Sequence, residues 1–169
     1  MNGVIKRIAQ ISHVISAFWV LVIAVIILVD VLGRNFFNTP LLGAVEVIKN
    51  SVVSVTFLQI PLAIYRGGML RTTLIYSHAP SGARRLMRLL ANLLGAALFL
   101  GIAVSSWRPA FEALAIGEYE GEGALRVPTY PVRLLIIATS AYAAFIYAYL
   151  MALDLSGRLE ESDAAEGAR

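Results

Sequence analysis

The sequence predicts an all-α integral membrane protein with four transmembrane helices and both termini in the cytoplasm, with short in-plane helices in the loops. Three observations predict it. The 169-residue chain is 59% hydrophobic and only 15% charged, with a mean hydropathy of +0.75, whereas a soluble domain lies near half apolar and a quarter charged. Four segments each approach the ~20 apolar residues that cross ~30 Å of hydrocarbon. The loops between them differ in their content of Lys and Arg, which sets orientation.

The first span covers about residues 11–33. Lys6 and Arg7 precede it. The apolar run is too long for a signal-peptide core and lacks a small-x-small cleavage site, so it is expected to be retained. The second span, 44–65, is the least apolar and carries Glu46, Lys49, Asn50, Ser51, Ser54, Thr56, Gln59 and Pro61. The third covers 86–107 and the fourth 132–153, leaving a polar tail at 154–169. Arg66, Arg71, Arg84, Arg85 and Arg88 lie around the second loop with no acid among them, while the third loop holds Glu112, Glu118, Glu120 and Glu122. The positive-inside rule therefore places the second loop and both termini in the cytoplasm. "MLRTTLIYSHAP" in the second loop reads as an in-plane element. Residues 109–116 read as a separate interfacial helix, followed by a Gly/Glu turn and an extended segment ending in two prolines.

Several function classes are excluded or disfavoured. With no cysteine, disulfides, thiolate metal sites and cysteine nucleophiles are absent. The formal charge of +3 follows from topology rather than from nucleic-acid binding, because no basic-aromatic surface stands apart from the spans. His13 and His78 fall at positions unsuited to a bis-histidyl haem, and no hydrolase, P-loop or metalloprotease motif occurs. The cores of spans one, three and four carry no ionisable group except tyrosine, whereas a self-sufficient ion-coupled transporter displays intramembrane charges or broken helices. The chain reads as an accessory or scaffold subunit, not an enzyme, with no cofactor of its own.

Two polar constellations stand out. Asp30 and Arg34 are spaced i,i+4 and share a helix face. They read either as an interfacial ion pair that ends the span or as a contact to another helix or subunit. A translocating carboxylate would lie deeper. Glu46, Asn50 and Ser54 repeat every fourth residue down span two and should face protein rather than lipid. That protein is either the chain's own bundle, for example Glu46 against Arg34, or a partner. Ala97–Gly101–Ser105 in span three and Ser140–Ala144–Ala148–Ala152 in span four are small-residue stripes that allow close helix approach. Trp107, Tyr65, Tyr130 and Tyr149 fall near the membrane interfaces, as aromatic belts do.

The stretch "DVLGRNFFNTPLLGAVE" resembles the signature of the small (Q, DctQ-type) membrane subunit of TRAP transporters: an acidic residue ending a span, then Arg-aromatic-x-Phe-Asn-x-Pro-Leu-x-Trp-x-x-Glu. The matching positions are Asp30, Arg34, Phe37, Asn38, Pro40, Leu41 and Glu46. "YRGGMLRTTLI" and "ALRVPTYPVRLLI" resemble two further stretches of the family. The chain departs from the pattern at Asn35, usually aromatic; at Gly43, commonly Trp; at Met69, usually His; and at Thr73, usually Asp.

The resemblance implies a small permease subunit of a secondary importer in the bacterial inner membrane. It implies a large (M) membrane subunit as partner, which would carry the sodium and substrate sites, and a periplasmic binding protein that delivers an organic acid. It implies that the polar signature, with Asn50 and Ser54 below it, is structural or subunit-contacting. Two other classes remain in view: a membrane anchor of a respiratory oxidoreductase, which would need haem or quinone, and a free-standing small exporter.

Overall fold

The computed structural model describes residues 3–65, 81–121 and 126–156. The in-plane element expected in the second loop, and the tail beyond Ser156, lie outside the described residues. Among the described residues, four helices are long and apolar enough to cross a membrane. They are α1 (Gly3–Phe37), α2 (Ala44–Tyr65), α3 (Ser81–Ile116) and α4 (Tyr130–Leu155). A two-stranded antiparallel ribbon, β1 (Tyr119–Glu120) with β2 (Val127–Pro128), joins α3 to α4.

The helices do not close into a bundle. The α1–α2 pair and the α3–α4 pair each form a helical hairpin, and α2 packs on α4 between them. The order across the layer is α1–α2–α4–α3, with no extensive contact between the two edge helices among the described residues. The core follows this order: Ile5, Ile64, Phe99, Ala143, Ile146 and Tyr147 form one cluster where the α1 N-terminus, the end of α2 and the middles of α3 and α4 meet.

The α3–α4 seam is built on small residues. A side chain added at Gly95 would come within 2.7 Å of the Tyr147 ring, so glycine alone admits the aromatic there. Phe99 stacks on the same ring with centroids 6.0 Å apart. Ala103, Ala110 and Ala113 extend the buried stripe at helical spacing.

That stripe explains a difference from the sequence expectation. Residues 109–116 are not a separate interfacial helix but the last turns of α3, with Pro109 inside it. Proline removes one helical hydrogen bond. The face continuing through Ala110 and Ala113 outweighs that loss, and membrane helices tolerate proline where neighbours supply polar partners. The carbonyl that loses its helical donor is that of Ser105; Arg133 Nη1 donates to the Pro109 carbonyl at 3.4 Å and ties this turn to α4. The helix ends where Gly117 takes φ +63° and the Glu118 N–H reaches back to the Ala113 carbonyl at 2.8 Å, a left-handed glycine cap.

Asp154, assigned from sequence to the tail, is instead a buried residue of the last turn of α4.

Candidate subunit-contact site

The α1–α2 turn is organised by Asp30. Its Oδ2 accepts from Arg34 Nε at 2.9 Å, and its Oδ1 accepts from the Leu41 backbone N–H, also at 2.9 Å. The first bond lies along one helix face. The second spans the turn, so one carboxylate ties the end of α1 to the approach to α2. Charged acceptors make stronger hydrogen bonds than neutral ones, which suits a residue that must hold a chain reversal.

The backbone makes that reversal sharp. Asn38 adopts φ +51°, a left-handed conformation that asparagine tolerates better than most residues. The Thr39 N–H then donates to the Gly33 carbonyl at 3.1 Å. Thr39 comes so close that a Cβ at Gly33 would lie 2.7 Å from its carbonyl oxygen. Gly43, at φ +79°, starts α2 by accepting from the Val47 N–H at 3.1 Å. Phe36 and Phe37 are thrown outward, 76% and 74% exposed, and Asn38 and Pro40 are exposed beside them.

The α2 stripe is satisfied largely along its own helix. Ser54 Oγ donates to the Asn50 carbonyl at 2.8 Å, and Asn50 Nδ2 donates to the Glu46 carbonyl at 3.2 Å. Asn50 Nδ2 also donates to Glu120 Oε2 at 3.2 Å, which ties α2 to the β1–β2 ribbon. Arg34 is engaged by Asp30 and does not meet Glu46, whose half-buried carboxylate has no ion pair among the described residues. The ribbon is anchored by Arg133 Nη2 on Glu118 Oε1 at 2.9 Å and by the Thr129 N–H on the Glu118 carbonyl at 3.1 Å. Arg126 lies over the Tyr119 ring, 4.5 Å from its centroid.

Among the described residues, nothing packs on the small-residue stripe of span three. Ala97, Gly101 and Ser105 are exposed, and a side chain added at Gly101 would meet nothing within 4 Å. In span four, Ser140 is buried and Ala144 half-buried, whereas Ala148 and Ala152 are exposed.

Sequence reasoning missed two links. Arg88 Nε donates to Asp154 Oδ1 at 3.0 Å, with the side chains 10% and 1% exposed. Tyr142 Oη donates to the Ile5 carbonyl at 2.8 Å. The first was within reach: antiparallel neighbours put Arg88, near the start of span three, level with the single acid at the end of span four. The second joins positions far apart in sequence and carries no local signal.

The family model for tripartite ATP-independent periplasmic transporters, DctQ component, matches residues 23–157. Comparison with curated proteins and with solved structures finds no match. The matched stretch contains the Asp30-centred turn, α2, the ribbon and the α3–α4 hairpin, and it covers most of the chain. The chain therefore belongs to the DctQ family, and it is a multi-pass small permease subunit of a TRAP transporter, a transport component rather than an enzyme.

Proposed function

We propose that this subunit is a static wall that anchors the large TRAP membrane subunit in the bacterial inner membrane while the complex takes up an organic acid delivered by a periplasmic binding protein. Sodium coupling and substrate selection belong to the large subunit in this reading, and both termini lie in the cytoplasm. The α1–α2 turn and the ribbon then face the periplasm, where the binding protein docks.

One observation carries the proposal. The layer α1–α2–α4–α3 leaves both edge helices open, and α3 presents Ala97, Gly101 and Ser105 on its exposed side. Small-residue faces let a second helix approach closely in lipid, where packing rather than the hydrophobic effect drives association. The Asp30 node holds the turn in one shape and presents Phe36 and Phe37 at the other edge of the layer.

Affinity purification of the tagged chain from cells that express the neighbouring transporter genes tests this. The expected result is stoichiometric recovery of a much larger polytopic protein, and uptake that fails when this chain is deleted. Recovery of the chain without such a protein, with uptake intact, overturns it.

A further inference from the structure

One face of α2 is open and is built unlike the outward side of α1. Val45, Lys49, Val52, Thr56, Gln59 and Ala63 follow one another in alternating steps of four and three residues, which keeps them on one side of a helix. Gln59 is half-buried and the other five are exposed. The chain's own packing uses different positions of α2: Ala44, Ser51, Pro61, Leu62 and Ile64 are the buried ones. Apart from Lys49 and Gln59, no side chain in the stripe is larger than valine, whereas α1 turns Phe18, Leu21, Val25 and Leu28 outward.

Two of the polar groups in the stripe are unsatisfied. Thr56 Oγ1 donates to the Val52 carbonyl at 2.8 Å. Among the described residues the Gln59 amide has no hydrogen bond, and Lys49 has neither an ion pair nor a side-chain hydrogen bond. The 22 residues of α2 rise ~33 Å, about the thickness of a hydrocarbon core. Gln59 lies six residues before the end of α2 at Tyr65, ~9 Å inward. Ile64 shares a cluster with Ile5 and Ala143, so Gln59 is level with apolar turns of both α1 and α4. An amide in hydrocarbon is costly until it is bonded, and glutamine side chains bond across membrane helices. Lys49 lies five residues into α2 and leans toward the helix N-terminus, which brings its ammonium toward the outer boundary.

A second copy of the chain fits this face badly. Two copies in one membrane share an orientation, so a two-fold axis sets their α2 helices parallel and each stripe residue opposite itself. Lys49 would then meet Lys49, which like-charge repulsion opposes. Glu46, the nearest acid on α2, instead shares a face with Asn50, which meets the ribbon.

We propose that this face of α2 is a second contact with the large membrane subunit, made by a transmembrane helix that places a carboxylate opposite Lys49 and a hydrogen-bonding side chain opposite Gln59. The inference rests on the heteromeric reading above and adds to it a polar seam on an inner helix, separate from the small-residue stripe of α3.

Photo-cross-linking in membranes that hold the whole complex tests it. Benzoyl-phenylalanine replaces Val53, at the rim of the stripe, or Phe18, on the outward side of α1. Position 53 should give an adduct with the large subunit, and position 18 should give none. A zero-length carbodiimide should join Lys49 to an aspartate or glutamate of the large subunit. Per copy of this chain purified, Gln59→Leu should lower recovery of the large subunit about threefold to tenfold. Lys49→Glu should lower it about tenfold or more, and Lys49→Arg should leave it unchanged.

Recovery of the large subunit without an adduct at position 53 overturns this inference and leaves the heteromeric reading standing. Failure to recover a large subunit with the unaltered chain overturns both. An adduct of twice the mass of this chain assigns the face to a second copy and overturns the inference. Equal adduct yield at positions 18 and 53 does the same, as does unchanged recovery with both Gln59→Leu and Lys49→Glu.

Discussion

Arg88 Nε and Asp154 Oδ1 lie 3.0 Å apart, and the Asp154 side chain is 1% exposed. The pair closes the end of the α3–α4 hairpin opposite the ribbon, and Arg85 bonds the Leu155 carbonyl beside it. Breaking a buried pair leaves one charge uncompensated, which costs about 3–5 kcal/mol, whereas replacing both charges with apolar groups is often neutral. Arg88→Met, which leaves the 1% exposed Asp154 carboxylate without this arginine, should therefore lower unfolding stability in detergent by that amount. Arg88→Met with Asp154→Leu should recover most of it.

The Asp30 turn should respond in a graded way. Asp30→Asn can still accept from the Leu41 N–H but loses the charge that engages Arg34. The expected cost is about 1 kcal/mol, seen as faster hydrogen exchange at the Leu41 amide. Gly33→Ala should be worse, because its Cβ meets the Thr39 carbonyl oxygen at 2.7 Å and the backbone must shift. Gly43→Trp restores the residue common in the family but places a side chain at φ +79°. It should destabilise the turn by about 1–2 kcal/mol, measured in the same exchange experiment.

Two glycines of α3 separate folding from assembly. Gly95→Leu drives a side chain into the Tyr147 ring and should lower the stability of the isolated chain by about 1–3 kcal/mol. A Cβ at Gly101 meets nothing within 4 Å among the described residues, and Gly101→Leu should leave isolated stability within about 0.5 kcal/mol. It should nonetheless reduce recovery of the large subunit and lower uptake. Equal recovery of the complex with Gly101→Leu and with the unaltered chain would remove α3 from the interface.

The Asn50–Glu120 bond joins α2 to the ribbon across 70 residues of sequence. It is exposed, so a double-mutant cycle of Asn50→Ala and Glu120→Ala should give a coupling of only about 0.2–1 kcal/mol. Loss of the bond should loosen the ribbon rather than unfold the helices, with increased proteolysis confined to the segment between Gly117 and Thr129.

Composition and hydropathy were sufficient for the number of spans, because each span must satisfy its backbone internally and needs a long apolar run to do so. They were sufficient, too, to pair Asp30 with Arg34, since an i,i+4 spacing is a property of the helix alone. The family signature was legible for the same local reason: Asp30, Arg34, Phe37, Asn38 and Pro40 fall within eleven residues of sequence. The layered order α1–α2–α4–α3 was not legible, because apolar faces in lipid do not announce their neighbour; shape at Gly95, Phe99 and Tyr147 decided it. The same holds for the first turn of α1, which the Tyr142–Ile5 bond sets beside the middle of α4 and the Ile64 contact sets beside the end of α2. Local periodicity determined the elements of this protein. Steric fit between small residues and rings, and hydrogen bonds between distant positions, decided how those elements stand against one another.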